Sequence, residues 1–188
     1  MSEQTRKDSF IVWDEVLQPA ELDAIEALGD RLILEKAGLA NEKDSPSYRS
    51  TQIAWIKPED DASVALYKRL GQLIGHLNSK IYHFKIEGLE TLQYTVYHSS
   101  EGGHYDWHVD YGPDVKWPRK LSLSIQLSDP DSYRGCDLEF QVGPEVGAAP
   151  RRRGAIIAFP SFYRHRVTPI LSGTRKALVL WAIGPDFQ

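Results

Sequence analysis

The stretch LSLSIQL, residues 121–127, alternates apolar and polar side chains with a period of two. On an extended strand the leucines and Ile125 face one side, while Ser122, Ser124 and Gln126 face the other. A buried hydroxyl or amide without a hydrogen-bond partner costs roughly 1–3 kcal/mol. The polar face is therefore expected either to meet water or to line a polar pocket.

The period of two continues on both sides of this stretch. TLQYTVY, from Thr91 to Tyr97, also has one polar face, and further strand candidates are CDLEFQV, GAIIAF, HRVTPI and RKALVLWAI, with STQIAWI as a short one. Ahead of most of them, apolar residues spaced by three and four predict amphipathic helices from Pro19 to Leu32 and from about Ala62 to Ile81. About seven short strands after two helices predict a mainly β fold with flanking helices, a β-sandwich or jelly-roll barrel.

The composition favours one domain, because 188 residues with 41% hydrophobic content suffice for one substantial core. The net charge of −4 and the scattered aromatic residues predict no nucleic-acid or membrane partner. The run Arg151–Arg153 is interpreted as a solvated loop, with contact to an acidic partner as the alternative. The single cysteine, Cys136, excludes an intrachain disulfide. Since no secretory signal or span of about 18 apolar residues is visible, a cytoplasmic location is expected.

The stretch GGHYDWHVDYG contains two His-x-Asp pairs, His104 with Asp106 and His108 with Asp110. On an extended backbone each pair projects to one side, so that an imidazole nitrogen and a carboxylate oxygen can converge on one ion. Two histidines and one carboxylate form the facial triad of non-haem Fe(II) oxygenases, which leaves three coordination positions open. The natural third ligand is His165, in FYRHRVTPI. On these residues alone, a hydrated strand face without a metal remains the alternative.

Two signatures resemble the prolyl 4-hydroxylase superfamily of iron(II)- and 2-oxoglutarate-dependent dioxygenases. Gly102, Tyr105, His108 and Asp110 match its pattern Gly-x-x-Tyr-x-x-His-x-Asp, which favours the second pair. GAIIAFPSFYRHRVTPILSGTRKALVLWAIG is similar to the second signature, especially that of bacterial PKHD-type hydroxylases, with its His-Arg-Val-Thr-Pro and Gly-Thr-Arg. LSLSIQLSDPDSYRGCDLEF is similar to the connecting strands, with Gly-Cys-Asp-Leu where Gly-Gly-Glu-Leu is usual. The resemblance covers roughly residues 92–184.

The resemblance implies a double-stranded β-helix, a jelly-roll barrel with iron in its mouth. By match to the motifs, His108, Asp110 and His165 are then the metal ligands, and Arg175 binds the far carboxylate of 2-oxoglutarate. Residues 1–188 are expected to form one domain, with a helical support region over 1–90 and the jelly-roll core over 91–188.

The strand pattern around Arg175 is consistent with this role. Arg175 shares a strand face with Ala177, Val179 and Trp181, and a guanidinium that points into a partly apolar barrel needs an anion. Its planar fork of donors suits a carboxylate. Candidate further contacts to 2-oxoglutarate are Tyr97 and Gln126, with Ser124 in the polar wall. The alternatives are a half-buried barrel aromatic for Tyr97 and an ordinary wall position for the other two.

The implied function is an Fe(II)- and 2-oxoglutarate-dependent dioxygenase that hydroxylates an unactivated C–H bond and releases succinate and CO₂, with ascorbate as a candidate reductant. The expected partners are dioxygen and either a prolyl residue of a peptide or protein or an amino acid-like small molecule. Residues 48–56 and 111–119 are expected to form the substrate face, and Trp107, Tyr111 and Trp117 either stack on a proline ring or belong to the core.

Arg49 and Trp55 are similar to an Arg-x-Ser…Trp arrangement in some bacterial and phage prolyl hydroxylase-like proteins. The alternatives to an oxygenase are a non-catalytic jelly-roll sensor that binds a metal or 2-oxoglutarate, and a zinc hydrolase. Simultaneous retention of three ligands and Arg175 favours the enzyme, because neither alternative needs an open iron site together with an anion clamp.

Overall fold

The computed structural model describes residues 4–6, 10–37, 47–112 and 117–187. Its helices are α1, Pro19–Asp30, and α2, Asp61–Leu77, which a π-helical turn, Asn78–Tyr82, continues. Its strands are β1 Gln4–Arg6, β2 Ile11–Trp13, β3 Glu35–Lys36, β4 Arg49–Ser50, β5 Gln52–Ile56, β6 Gly88–Leu89, β7 Leu92–His98, β8 His104–His108, β9 Arg119–Gln126, β10 Tyr133–Gly135, β11 Leu138–Val142, β12 Glu145–Ala148, β13 Ile156–Pro160, β14 His165–Val167 and β15 Ile170–Ile183.

The strands form two antiparallel sheets. The larger sheet has ten strands in the order β1-β2-β13-β9-β15-β7-β5-β3, with β10 and β6 also paired to β15. The smaller sheet has the order β12-β11-β14-β8-β4. The prediction of a mainly β fold with flanking helices is confirmed. The region before residue 91 is more than a helical support, however, because β2 and β5 pair with β13 and β7 of the larger sheet.

The two faces of the larger sheet have different environments. Leu121, Leu123 and Ile125 of β9 pack in one apolar cluster with the buried faces of both helices. Ser122, Ser124 and Gln126 on the opposite face are also buried, with exposed fractions of 0%, 6% and 3%. Since these side chains are buried and Ser124 lines a cavity, the polar face of LSLSIQL faces the inside of the fold and does not meet bulk water.

Both helices follow their predicted patterns with small differences at the C-terminal ends. Helix α1 begins at Pro19, whose fixed φ suits the first helical position, and ends at Asp30, two residues before the predicted Leu32. The second predicted helix is correct in extent but changes from α to π at Asn78. The Asn78 side-chain amide donates to the Phe84 carbonyl at 2.8 Å and accepts from the Phe84 N–H at 2.9 Å. These two hydrogen bonds fix the turn.

Two predicted strands have different bounds. HRVTPI is not one strand, because β14 ends at Val167 and β15 begins at Ile170 and runs for 14 residues. CDLEFQV begins as a strand only at Leu138, since Cys136 adopts a left-handed φ of 58° that an extended chain cannot include.

The arginine run finds acidic partners within the chain. Arg152 pairs with Asp14, and Arg153 pairs with Asp23 at 2.8 Å and Glu26 at 3.2 Å. The run therefore ties its loop to α1 and the residues before it, and an external acidic partner is unnecessary. Within the described part of the chain, no helix is long and apolar enough to cross a membrane.

Candidate active site

The three predicted metal ligands come together at one end of the smaller sheet. His108 ends β8, Asp110 follows it by two residues, and His165 begins β14 directly opposite His108. One ligand atom from each lies within 4.8 Å of the others. The Asp110 carboxylate oxygens are 3.9 Å from His108 Nε2 and 3.6 Å from His165 Nε2. The pairing of two antiparallel strands thus assembles what the sequence separates by more than fifty positions.

Backbone carbonyls orient both imidazoles. His108 Nδ1 lies 2.7 Å from the carbonyl oxygen of Asp106, and His165 Nδ1 lies 2.9 Å from that of Tyr163. A carbonyl only accepts, so in each neutral ring Nδ1 carries the proton and Nε2 keeps its lone pair. Both Nε2 atoms are therefore free to bind a metal, in the orientation that ligating histidines commonly have.

The Asp110 carboxylate is held by a hydroxyl that sequence reasoning did not assign to it. Ser122 Oγ donates to Asp110 Oδ2 at 2.7 Å and lies 2.8 Å from Ser161 Oγ. Both serines are fully buried. In the sequence, Ser122 was marked only by its place on the polar face of LSLSIQL. That pattern could not show that this face lies next to Asp110.

The charges of the cluster suit a divalent ion. Burial, together with the neighbouring His165, lowers the pKa of His108, so its ring is neutral at pH 7. Burial alone would raise the pKa of Asp110, but the two histidines, Arg119 and the Ser122 hydrogen bond lower it overall. Two imidazole nitrogens and one carboxylate are the donor set of non-haem Fe(II) sites, and the residues present fit this ion.

The other His-x-Asp pair does not assemble into a site. Both ring nitrogens of His104 lie near backbone carbonyls, Nδ1 at 2.8 Å from Gly102 and Nε2 at 3.1 Å from Ser47. Asp106 is exposed, and its carboxylate accepts from the N–H of Trp107. The structure therefore brings together the pair that the sequence pattern favoured.

Arg175 lies in the same cavity as the triad. The cavity has a volume of about 370 Å³, and its wall includes the three ligands, Arg175 and Tyr97. Arg175 is 2% exposed. Burial alone would lower its pKa, but Cys136, Tyr97 and Tyr133 raise it, so the guanidinium stays charged. A buried cation that faces a cavity is a binding group for an anion.

Gln126 and Cys136 both contact the Arg175 guanidinium. Gln126 is not among the residues that line the cavity, and its Oε1 accepts from Arg175 Nε at 3.1 Å and Nη2 at 2.8 Å. Cys136, which is 1% exposed, lies close to the same group and contributes to its raised pKa. The structure therefore places Gln126 as a support for Arg175, whereas Tyr97 faces the cavity. Cys136 lies against Arg175 and is not part of the metal cluster.

The cavity wall contains further cationic and aromatic groups. Arg119 donates to both oxygens of Glu90, at 2.9 and 2.7 Å, and its Cζ lies 3.7 Å from the ring centre of Trp181. Arg49 and Trp55 also line the wall, and Trp55 is 41% exposed.

The expected substrate-face aromatics lie elsewhere. Trp107 lies beside Arg164 and Arg166, and Tyr111 beside Phe187, and neither lines the cavity. Trp117 is 41% exposed. Residues 113–116 of the predicted substrate loop lie outside the described residues.

A triad that leaves coordination positions free, set in one cavity with a buried arginine, has the donor set of non-haem iron oxygenases beside a group that can bind an anion. The comparisons name the family. The family model described as the 2OG-Fe(II) oxygenase superfamily matches residues 92–183, and this part of the chain belongs to the superfamily.

Curated relatives match a little under half of the chain. A PKHD-type hydroxylase of Synechococcus sp. (strain CC9605) is 42% identical over 87 residues, which cover 46% of this chain and 39% of the relative. A PKHD-type hydroxylase of Teredinibacter turnerae is 40% identical over 86 residues, covering 43% and 38%. The chain thus spans about two-fifths of the length of these relatives.

Solved structures extend the likeness of the fold to nearly the whole chain. A Pseudomonas putida prolyl-4-hydroxylase superposes with a TM-score of 0.77 at 20% identity, covering 95% of this chain and 94% of that one. A Trichoplax adhaerens prolyl hydroxylase gives a TM-score of 0.77 at 19% identity, covering 94% and 84%. The predicted jelly-roll, double-stranded β-helix architecture is confirmed.

Proposed function

We propose that this chain is an Fe(II)- and 2-oxoglutarate-dependent dioxygenase that hydroxylates an unactivated C–H bond and releases succinate and CO₂. The observation that carries the proposal is the convergence of His108, Asp110, His165 and Arg175 on one cavity of about 370 Å³. A site for a metal alone would have no use for a buried cation in the same cavity, and an anion site alone would have no use for the triad.

Each residue has a distinct role in the proposal. His108, Asp110 and His165 hold the iron, which when bound supplies the activation of dioxygen that the protein's own side chains cannot provide. Arg175 binds the far carboxylate of 2-oxoglutarate through its planar fork. Burial raises the pKa of Tyr97 to about 12, so its phenol stays protonated and can donate a hydrogen bond to the co-substrate. Gln126 keeps the guanidinium in place.

The proposed primary substrate is a prolyl residue of a peptide or protein, or an amino acid-like small molecule. Support comes from the relatives, which are named PKHD-type hydroxylases, and from the fold neighbours, which are prolyl hydroxylases. The Trichoplax adhaerens neighbour is described in complex with a peptide fragment of a hypoxia inducible factor oxygen degradation domain. We further propose that residues 1–188 form one domain. The cytoplasm is the proposed location, since a free buried cysteine and Fe(II) both suit a reducing compartment.

The proposal is tested by anaerobic titration of the Fe(II)-loaded protein with 2-oxoglutarate, followed through the visible metal-to-ligand charge-transfer band. We expect a band in the wild type. The variant Arg175→Ala should need about ten- to a hundredfold more 2-oxoglutarate, because a hydrogen-bonded pair with a charged group contributes about 1.5–3 kcal/mol. Arg134→Ala, at an exposed position outside the cavity, is the matched control and should titrate like the wild type.

Succinate release under air, with candidate peptides and amino acids, completes the test. Variants of His108, Asp110 or His165 to Ala should lose 2-oxoglutarate turnover, while His104→Ala should retain most of it. Bound iron without a charge-transfer band would contradict the enzyme and favour the metal-binding sensor.

A further inference from the structure

Arg49 presents to the candidate active-site cavity a positive charge that has no ion-pair partner among the residues the structure describes. Two other arginines line this cavity. The proposed partner of Arg175 is the co-substrate carboxylate, and Arg119 forms an ion pair with Glu90. Arg49 donates through Nε to Thr51 Oγ1 at 2.8 Å. Within the described residues, no carboxylate lies in ion-pair distance of its guanidinium, and its two terminal nitrogens form no other hydrogen bond.

The guanidinium is held close to the metal ligands by aromatic stacking. Arg49 on β4 pairs with Tyr105 on β8, and its Cζ lies 4.4 Å from the Tyr105 ring centre. The same ring stacks on His108, with centres 3.5 Å apart and planes inclined by 14°. The Tyr105 ring thus lies in contact with both groups. The distance from the guanidinium to the His108 ring is at most about twice the spacing of consecutive Cα atoms. A group bound at Arg49 lies within reach of the proposed reaction centre.

Within the part of the chain that the structure describes, the charges of the loaded site leave Arg49 without a counter-charge. A divalent ion and Arg175 balance the negative charges of Asp110 and of dianionic 2-oxoglutarate. When a substrate displaces water from the cavity, the half-buried guanidinium loses hydration, which is costly unless an anion replaces it. Thr51 occupies Nε, and no described residue bonds the two terminal nitrogens, so their edge can bind a bidentate carboxylate.

We propose that Arg49 binds a carboxylate of the substrate that is hydroxylated, and that it selects acidic substrates over neutral ones. The carboxylate is either the α-carboxylate of an amino acid or peptide terminus, or the side chain of an Asp or Glu near the target residue. This inference rests on the proposed function and names the substrate class of that site. Arg49 acts here as a specificity-determining residue.

The test compares acid and amide forms of otherwise identical probes, in the full chain loaded with Mn(II) and saturating 2-oxoglutarate without dioxygen. Calorimetry measures the affinity for N-acetyl-proline against N-acetyl-prolinamide, and for acetyl-Pro-Asp-amide against acetyl-Pro-Asn-amide. The two pairs distinguish a terminal carboxylate from a side-chain carboxylate. In at least one pair, the wild type should bind the acid at least about tenfold more tightly, equivalent to about 1.4 kcal/mol.

The variants separate recognition from a structural role of the Arg49–Tyr105 stack. Arg49→Gln should reduce the acid-to-amide ratio to near one, Arg49→Lys should keep part of it, and Arg134→Gln, exposed and outside the cavity, should leave it unchanged. A merely structural role would lower both affinities together and leave their ratio intact.

A wild type without acid preference in either pair, including one that binds none of the four probes, contradicts the inference, as does a preference that survives in Arg49→Gln. Titration of Mn(II) and 2-oxoglutarate in the same samples distinguishes a failure of the proposed function from a failure of the role assigned to Arg49. Failure to bind 2-oxoglutarate overturns the proposed function, whereas intact binding without acid preference overturns only the role of Arg49.

Discussion

The hydroxyl of Ser122 shows how much of the candidate metal centre depends on a residue that cannot itself bind the ion. It donates to Asp110 Oδ2 at 2.7 Å and leaves Oδ1 on the side of His108. Partners of this kind fix the orientation of a ligand, and their removal typically costs ten- to a hundredfold in metal affinity.

We therefore predict that Ser122→Ala weakens Mn(II) or Fe(II) binding about tenfold or more, as measured by titration of the metal-free protein. The control is Ser124→Ala, on the same face of β9, which lines the cavity but is not hydrogen-bonded to Asp110. Equal metal affinities in the two variants would show that Ser122 does not position the carboxylate.

At the scale of single residues, the sequence predicted which side chains come together in the candidate site. It did not predict which hydrogen bonds hold them in position. His108, Asp110, His165 and Arg175 could be found because each occupies a motif position. Ser122 and the support of Arg175 by Gln126 depend on the pairing register of β9 with β15 and on the path of the chain after β8. Such contacts arise from tertiary geometry, for which a single sequence carries no periodic signal.

Helix α1 meets the larger sheet at a glycine that has no room for a side chain. A Cβ on Gly29 would lie 2.4 Å from the Tyr94 ring, whereas a Cβ on Gly71 of α2 would meet nothing within 4 Å. Gly29→Ala is therefore expected to lower the free energy of unfolding by about 1–3 kcal/mol through overpacking. Gly71→Ala should raise it by up to about 1 kcal/mol, because alanine costs less backbone entropy in a helix.

Thermal unfolding of the two glycine variants measures both effects. In a chain of this size, 1 kcal/mol corresponds to a shift of roughly 2–4 °C in the midpoint. A midpoint of Gly29→Ala that does not fall below that of the wild type would contradict the close approach of Gly29 to Tyr94.

The end of α1 is also tied to the sheet through Asp30. Its carboxylate accepts from Tyr94 at 2.6 Å and from Lys176 at 2.8 Å. Burial alone would raise the pKa of Asp30, but the hydrogen bonds from Lys176 and Tyr94 lower it overall. Because the folded-state pKa lies below the unfolded value of 3.8, this stabilisation is complete above that pH and is lost as pH falls through the folded-state pKa.

Asp30→Asn should accordingly be less stable than the wild type at pH 7, and the difference should shrink as the pH is lowered below about 4. Denaturant unfolding at a series of pH values measures it. A difference that grows on acidification would reverse the sign of the argument.

Element boundaries were predictable where one physical signal dominated. The apolar spacing located both helices, and alternation located β7 and β9. Neither signal could show that strand β15 begins as early as Ile170 or that α2 continues as a π turn. The left-handed Cys136 was equally hidden, because non-glycine residues seldom adopt a positive φ.

The whole molecule places the two halves of the proposed co-substrate site on different sheets. His108 and His165 lie on β8 and β14 of the smaller sheet, and Asp110 follows β8 by two residues. Arg175 lies on β15 of the larger sheet. A ligand that spans the cavity would connect the sheets and bind only the folded state. It should therefore stabilise the fold by about 2.7 kcal/mol at a hundred times its Kd.

We predict that Mn(II) and 2-oxoglutarate together raise the thermal midpoint by roughly 5–10 °C, and that 2-oxoglutarate alone raises it far less because its metal-binding end has no partner. Differential scanning fluorimetry of the four combinations measures this. In Arg175→Ala, the metal should still raise the thermal midpoint, whereas most of the further rise caused by 2-oxoglutarate should be lost. An equal effect of 2-oxoglutarate with and without metal would contradict a shared site.

The fold class could be predicted from the change of period at residue 91, since helices and strands bury their apolar faces with different repeats. The contribution of β2 and β5 to the larger sheet could not, because short apolar segments such as residues 11–13 carry too few residues to establish a period.

The position of β15 has a consequence for how the protein is made. It lies between β9 and β7 and holds the two halves of the larger sheet together, yet it follows all the other described strands in the chain. A ribosome delivers residues in order, so earlier strands leave the exit tunnel with their central partner still missing. Until residues 170–183 have emerged, the nascent chain exposes the unpaired edges of β7 and β9, which are the surfaces a chaperone would need to shield.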